Sequence, residues 1–115
     1  MYRVLLILSF ISFSFSITIN IPEDYDTIQM GIVFAANGDT VLVADGIYSG
    51  DGNVEIDFYG KSILLLTYGA TIDLESSNRA FNIHTGEDST TVIDGFNLTY
   101  GGEVEQGGIA KIYNN

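Results

Sequence analysis

"DYDTIQMGIVFAANGDTVLVADGIY", Asp24 to Tyr48, reads as one short helix, one tight turn and one strand. Asp26 is placed to cap the helix, and Gln29 three residues on completes a capping box. Ile28, Ile32 and Ala35 fall on one helical face, and Asn37-Gly38 supplies a left-handed stop, so the expected helix covers 27–36. Thr40 to Ala44 then reads as a buried strand, and Asp45-Gly46 turns the chain. Met30, Val33 and Phe34 make the helix apolar nearly all round, where a helix on a surface ordinarily shows a polar face. Either something covers it, or this copy of the helix is degenerate.

Beyond Gly46 the chain holds only short strand-like pieces. Lys61 to Thr67 is one. Ala70 to Leu74 alternates cleanly, Ala80 to His84 puts Phe81 and Ile83 on one face, and Phe96 to Thr99 repeats the pattern. Ile109 to Tyr113 is a last, ambiguous strand. The connectors are glycine-rich: Gly50 to Asn53, Tyr59-Gly60, Tyr68-Gly69, Gly101-Gly102 and Gly107-Gly108. "VADGIY" from Val43 and "VIDGFN" from Val92 share an apolar pair, an Asp-Gly turn and an apolar residue. "TIDL" from Thr71 and "VIDG" from Val92 lie 21 residues apart, and Val41, Ile63 and Phe81 are spaced by 22 and 18. Spacings near ~20 residues suit a coil of strands, whereas a hairpin sandwich repeats every 8–12 or so. The pattern favours the coil.

Composition agrees. The 115 residues fit one domain, and 13 Gly, 7 Tyr and 7 Phe with one Pro and no Trp favour strands and turns. Fifteen acids against four bases give a net charge of −11, or −12 once Arg3 is removed with a leader. That surface repels nucleic acid and anionic lipid, which need clustered Lys and Arg, and suits cations, neutral sugars or simple solubility.

The start of the chain reads as export machinery. Met1-Tyr2-Arg3 is positive, Val4 to Phe15 is apolar apart from serines, and Ser14-Phe15-Ser16 offers small residues at the two positions a signal peptidase reads. The expected cut follows Ser16, making 1–16 a signal peptide and 17–115 a secreted or cell-surface domain. The rival is a membrane anchor, since no charge falls between Val4 and Pro22; membrane contact is expected only through an uncleaved leader. Ile17 to Ile21 alternates with the period of a strand, which argues for the cut. With no Cys, the exported chain has no disulfide and no lipid-modified N-terminal cysteine.

At "IPEDYDTIQMGIVFAANGDTVLVADGIYSGDGN", Ile21 to Asn53, the chain resembles the N-terminal cap and first rung of right-handed parallel β-helix proteins of the pectate-lyase-like superfamily. Thr27-Ile28-Gln29, Ile32, Ala35-Ala36, Gly38 to Val41, Val43, Gly46 and Tyr48 carry the resemblance. Turns like that of "TGEDS" and the stretch "GFNLTYG" also resemble rungs of secreted bacterial β-helix proteins, so the resemblance runs from Ile19 to about Tyr100. It departs at Met30, Val33 and Phe34, and again at "GGIAKIYNN". The implied fold is all-β: a right-handed parallel β-helix with a short N-terminal capping α-helix, incomplete at the C-terminus. The helix is then a plug, with Ile28, Ile32 and Ala35 facing the first rung, and stacked rungs supply the stability. About three rungs fit between Thr40 and Asn115. Nothing at the C-terminus resembles a second plug, so the chain reads as the start of a longer protein or a short member that pairs with something. Self-association through the open C-terminal end is expected.

The chemistry is thin. His84 is the one histidine and lies on the polar face of its strand; no Cys and no Gly-x-Ser-x-Gly elbow are present. The resemblance implies, for lyases and esterases of this fold, Asp clusters on adjacent rungs with a basic residue. Asp73 and Asp94 are the candidates to stack one rung apart, with Asp57 beside them and Arg79 or Lys61 as bases; stacked carboxylates bind calcium or share a proton. The plainer alternative makes Asp73 an outward strand residue and Asp94 a turn former before Gly95. Asp51 and Asn53, with Glu55, have a calcium-like spacing in a glycine-rich loop without the full loop signature, and turn formation alone explains them. Asn97-Leu98-Thr99 spells a glycosylation sequon inside a strand, where it is accidental. The expected function is a non-catalytic extracellular module for scaffolding, adhesion or carbohydrate contact, with polysaccharide or another cell-surface protein as partner. The alternative is the N-terminal part of a pectate lyase-like or pectin esterase-like enzyme whose site lies on later rungs.

Overall fold

A computed structural model describes residues 15–75, 79–84, 90–100, 103–104 and 110–113; all but the last two residues of the expected leader 1–16 lie outside the described residues. The elements are β1 (Thr18–Ile21), α1 (Ile28–Phe34), β2 (Thr40–Val43), β3 (Ile47–Ser49), β4 (Ile56–Asp57), β5 (Leu64–Thr67), β6 (Thr71–Asp73), β7 (Phe81–Asn82), β8 (Val92–Tyr100), β9 (Glu103–Val104) and β10 (Ala110–Tyr113).

Each time the chain comes round, a strand lands in parallel register on the one before. On the first face Thr18, Thr40, Leu64 and Val92 align through β1, β2, β5 and β8, so successive turns take 22, 24 and 28 residues. On the second face β3, β6 and the far half of β8 align, and on the third β4 pairs with β7. The result is a parallel β-solenoid of about three turns. Apolar side chains stack inside as columns: Ile19, Val41, Leu65 and Ile93 on one face, Tyr48 and Ile72 on the next, with Ile56 buried on the third. No turn buries its apolar face alone; each is covered by the next.

The registers correct the periods expected from the sequence. Val41 stacks on Leu65, not Ile63, and Phe81 belongs to a different face, opposite Ile56. Thr71 aligns with Asn97, so "TIDL" and "VIDG" are not equivalent. Loop lengths differ from turn to turn, and fixed spacings therefore mix faces. The Asp-Gly pairs, by contrast, do mark a shared corner between the first and second faces. There Gly46, Gly69 and Gly95 all take positive φ, of 151°, 150° and 100°.

The helix is a plug, with details that differ from expectation. Ile28 and Ile32 are fully buried and Ala35 nearly so. Gly31 lets the helix backbone lie on the first turn, because a Cβ there would come within 2.9 Å of Ile21 and 3.1 Å of Val41. The N-cap is Thr27 rather than Asp26, its Oγ1 accepting from Met30 N at 3.2 Å. Gln29 takes no part in a capping box. Its amide clasps β4 instead, donating from Nε2 to Asp57 O and accepting from Asp57 N, both at 2.8 Å. The helix stops at Ala35 in extended backbone, before Asn37-Gly38. Its last carbonyls, on Ile32, Val33 and Ala35, accept from Lys61 Nζ at 2.8–3.0 Å. Met30, Val33 and Phe34 remain exposed on the outer side, with Phe34 stacked on Tyr25 at 4.8 Å between ring centroids.

At the other end, β9 and β10 pair antiparallel with β8. The last strand does not start another parallel turn; it folds back over the preceding one.

Candidate functional site

The most exposed large hydrophobic side chain of the described solenoid is Tyr68, at 91%. Its placement follows from the residues beside it. Thr67 points inward, its hydroxyl donating to Val43 O at 2.7 Å and accepting from Ala70 N at 3.0 Å. Alternation then turns Tyr68 out, at the corner before Gly69. The ring stands between two hollows. One, of about 280 Å³, is lined by Asn20, Ile21, Pro22 and Glu23, by Leu42 to Asp45, and by Tyr68. The other, of about 290 Å³, is lined by Leu66, Thr67, Tyr68 and Asp94. Asn20, Leu42, Leu66 and Asp94 share one outward column of the first face, so the hollows follow one strip along the solenoid. The strip offers an aromatic plate, a partly apolar floor and the carboxylates of Glu23, Asp45 and Asp94, with no cationic side chain in its lining among the described residues.

Behind the corner, Tyr48 is buried and donates from its hydroxyl to Ala44 O at 2.8 Å. Burial pushes its pKa up from the ordinary value of 10.0, and the charge of Asp45 adds to the rise. Tyr48 thus stays a neutral donor that fixes the corner presenting Asp45.

The residues singled out by sequence serve the scaffold. Asn53 Oδ1 accepts from Ile28 N at 3.1 Å and its Nδ2 donates to Ser49 O at 3.1 Å, so its amide joins the helix start to the strand before it. Glu55 is paired with Arg79 at 2.9 Å, and Asp51 sits in an isolated parallel bridge with Val54. Asp57 Oδ2 is paired with His84 Nε2 at 3.0 Å, and its other oxygen accepts from Tyr59 N at 2.8 Å. Asp73 and Asp94 do not stack: Asp73 aligns with Ser49 and Thr99 on the second face, whereas Asp94 aligns with Leu66 on the first. Asn97 of the sequon lies within β8, its amide donating to Gly69 O at 3.3 Å. Among the described residues no three of His, Cys, Asp and Glu are grouped to hold a metal ion, and no helix is long and apolar enough to cross a membrane.

Sequence reasoning passed over Tyr68, Glu23 and Asp45. The signal for Tyr68 was an aromatic residue directly before a corner glycine, but only the strand registers, which align Val43 with Thr67 and Ile47 with Thr71, show that it stands at the same corner as Ala44 and Asp45. No protein-family model, no curated protein and no solved structure matches the chain, so fold and side chains carry the functional assignment.

Proposed function

We propose that this chain is an exported, non-catalytic β-solenoid module, akin to the pectate-lyase-like β-helices, that contacts neutral carbohydrate along the strip around Tyr68. The observation that carries this is the exposed ring of Tyr68 standing between two hollows with three carboxylates on their rims. A tyrosine face takes the apolar side of a sugar ring, and carboxylates accept from its hydroxyls. The net charge of −11, and a lining with no cation among the described residues, disfavour acidic polysaccharides such as pectate. Non-catalytic action is supported by the bonds of His84, Arg79, Lys61, Asp57 and Glu55, each tied to another part of the scaffold.

Affinity electrophoresis in gels carrying soluble neutral polysaccharides, with pectate as the charged control, tests this. Retardation by at least one neutral polymer is expected, with no retardation and no release of unsaturated product from pectate. Tyr68→Ala should weaken binding by about tenfold or more, as loss of an aromatic anchor does, while changing stability by less than ~0.5 kcal/mol. No retardation by any neutral polymer, or binding indifferent to Tyr68→Ala, would overturn the proposal.

A further inference from the structure

Asp39 is 3% exposed, and among the described residues no cationic side chain pairs with it. Its two carboxylate oxygens accept from backbone: Oδ1 from Ile17 N at 3.0 Å and Oδ2 from Ala36 N at 2.8 Å. A buried carboxylate is costly unless paired, and a bond to a charged donor is about twice as strong as one to a neutral donor. One of its two donors is the nitrogen that the leader pattern marks as the start of the processed chain.

Cleavage there is simple hydrolysis by a signal peptidase. The bond from Ser16 C to Ile17 N breaks, and water delivers hydroxyl to the Ser16 carbonyl carbon and a proton to the nitrogen. The freed amine then takes one more proton from solvent and becomes an ammonium. We propose that this cut completes the fold: the new α-ammonium of Ile17 becomes the counter-ion of Asp39, forming an ion pair that the uncut chain lacks. The inference rests on the export processing set out above, which is separate from the carbohydrate strip.

The geometry is already in place. Ile17 O accepts from Thr40 N at 2.9 Å, and β1 begins at once with Thr18 aligned on Thr40, so the nitrogen is held beside Asp39 from its C-terminal side. Ser16 and Ile17 are exposed, and among the described residues the core begins at Ile19, so the cut falls outside that core. Asp39 is fixed in turn, its N donating to Ala36 O at 3.0 Å and its O accepting from Leu64 N at 3.1 Å. The ion pair therefore ties the chain end to the helix exit, β2 and β5. α1, β1 and β2 carry no charged side chain, and Lys61, at the helix end, is held by helix carbonyls.

The test compares the chain beginning at Ile17 with the same chain beginning at Ser16, which moves the ammonium one residue away. Both are made with Asp39 and with Asp39→Asn, and melted at neutral pH. Retaining Ser16 should lower Tm by about 4–8 °C with Asp39 present and by less than ~2 °C with Asp39→Asn. An equal effect in both backgrounds, or none in either, overturns the ion pair. Should Asp39→Asn fail to fold, acylation of the Ile17 amine across pH decides: titration above the ordinary α-amino range is expected, and an ordinary value refutes the pairing. N-terminal sequencing of the exported protein decides the cut by itself, and a product starting elsewhere removes the premise.

Discussion

Gly95 turns the chain within a single strand from the first face of the solenoid to the second. A Cβ there would come 2.0 Å from the carbonyl oxygen of Thr67, and its φ of 100° suits only glycine. Gly50 also has a positive φ, of 76°, but nothing lies within 4 Å of the place its Cβ would occupy. The two separate backbone strain from collision. Gly50→Ala should cost about 1–2 kcal/mol through φ alone, whereas Gly95→Ala should exceed ~4 kcal/mol or prevent folding. Urea denaturation of both variants measures the difference, and equal losses would contradict this account of the corner. At this scale the sequence was least informative. Asn53, Glu55, Asp57, Arg79 and His84 have the types of catalytic or metal-binding residues, but their partners lie 24–28 positions away, so nothing local reveals that they brace the scaffold. Asp39 was legible only as part of a motif; its burial and its bond to Ile17 needed the fold.

The capping helix is held more by its surroundings than by its own sequence. It has seven residues, with no acid in its first turn and no base in its last. So short a helix is marginal alone. Thr27 and Asn53 serve its first N–H groups, Gln29 fastens it to β4, and Lys61 supplies from a distant turn the positive charge its C-terminus lacks. Replacing that ammonium should leave the helix carbonyls unsatisfied. Lys61→Met is expected to destabilise the chain by about 1.5–3 kcal/mol, the range for bonds to a charged group, without changing the m-value in urea. A loss below ~0.5 kcal/mol would show that the contact is an idle surface one. The helix, its inward face and the strands after it were readable because apolar spacing is local. Its cap and its stop were displaced, because Thr27 and Lys61 outcompete Asp26 and Gly38 through contacts made in the folded chain.

Across the whole molecule, the loose return of apolar pairs pointed to a coil of strands, but the pairs compared lie on different faces, and the true turn lengths of 22, 24 and 28 were not legible. Variable corners and loops hide a period that hydrogen bonds enforce only in three dimensions. The antiparallel return of β9 and β10 had no signal, since a strand's sequence does not state its direction. What the three scales share is a solenoid whose first turn is sealed by α1, leaving the outer strip around Tyr68 free for contact. The seal is tested most directly by circular dichroism melting of the parent, Ile32→Asp and His84→Ala. Ile32 is fully buried, and truncating such a residue to Ala already costs about 2–5 kcal/mol; an unpaired carboxylate there is at least as damaging. His84 is half exposed in a surface pair with Asp57, a contact worth about 0–1 kcal/mol. The account predicts that Ile32→Asp melts at least ~10 °C below the parent or does not fold, with His84→Ala within ~4 °C of it. If Ile32→Asp melts with the parent, the helix is not the seal of the solenoid.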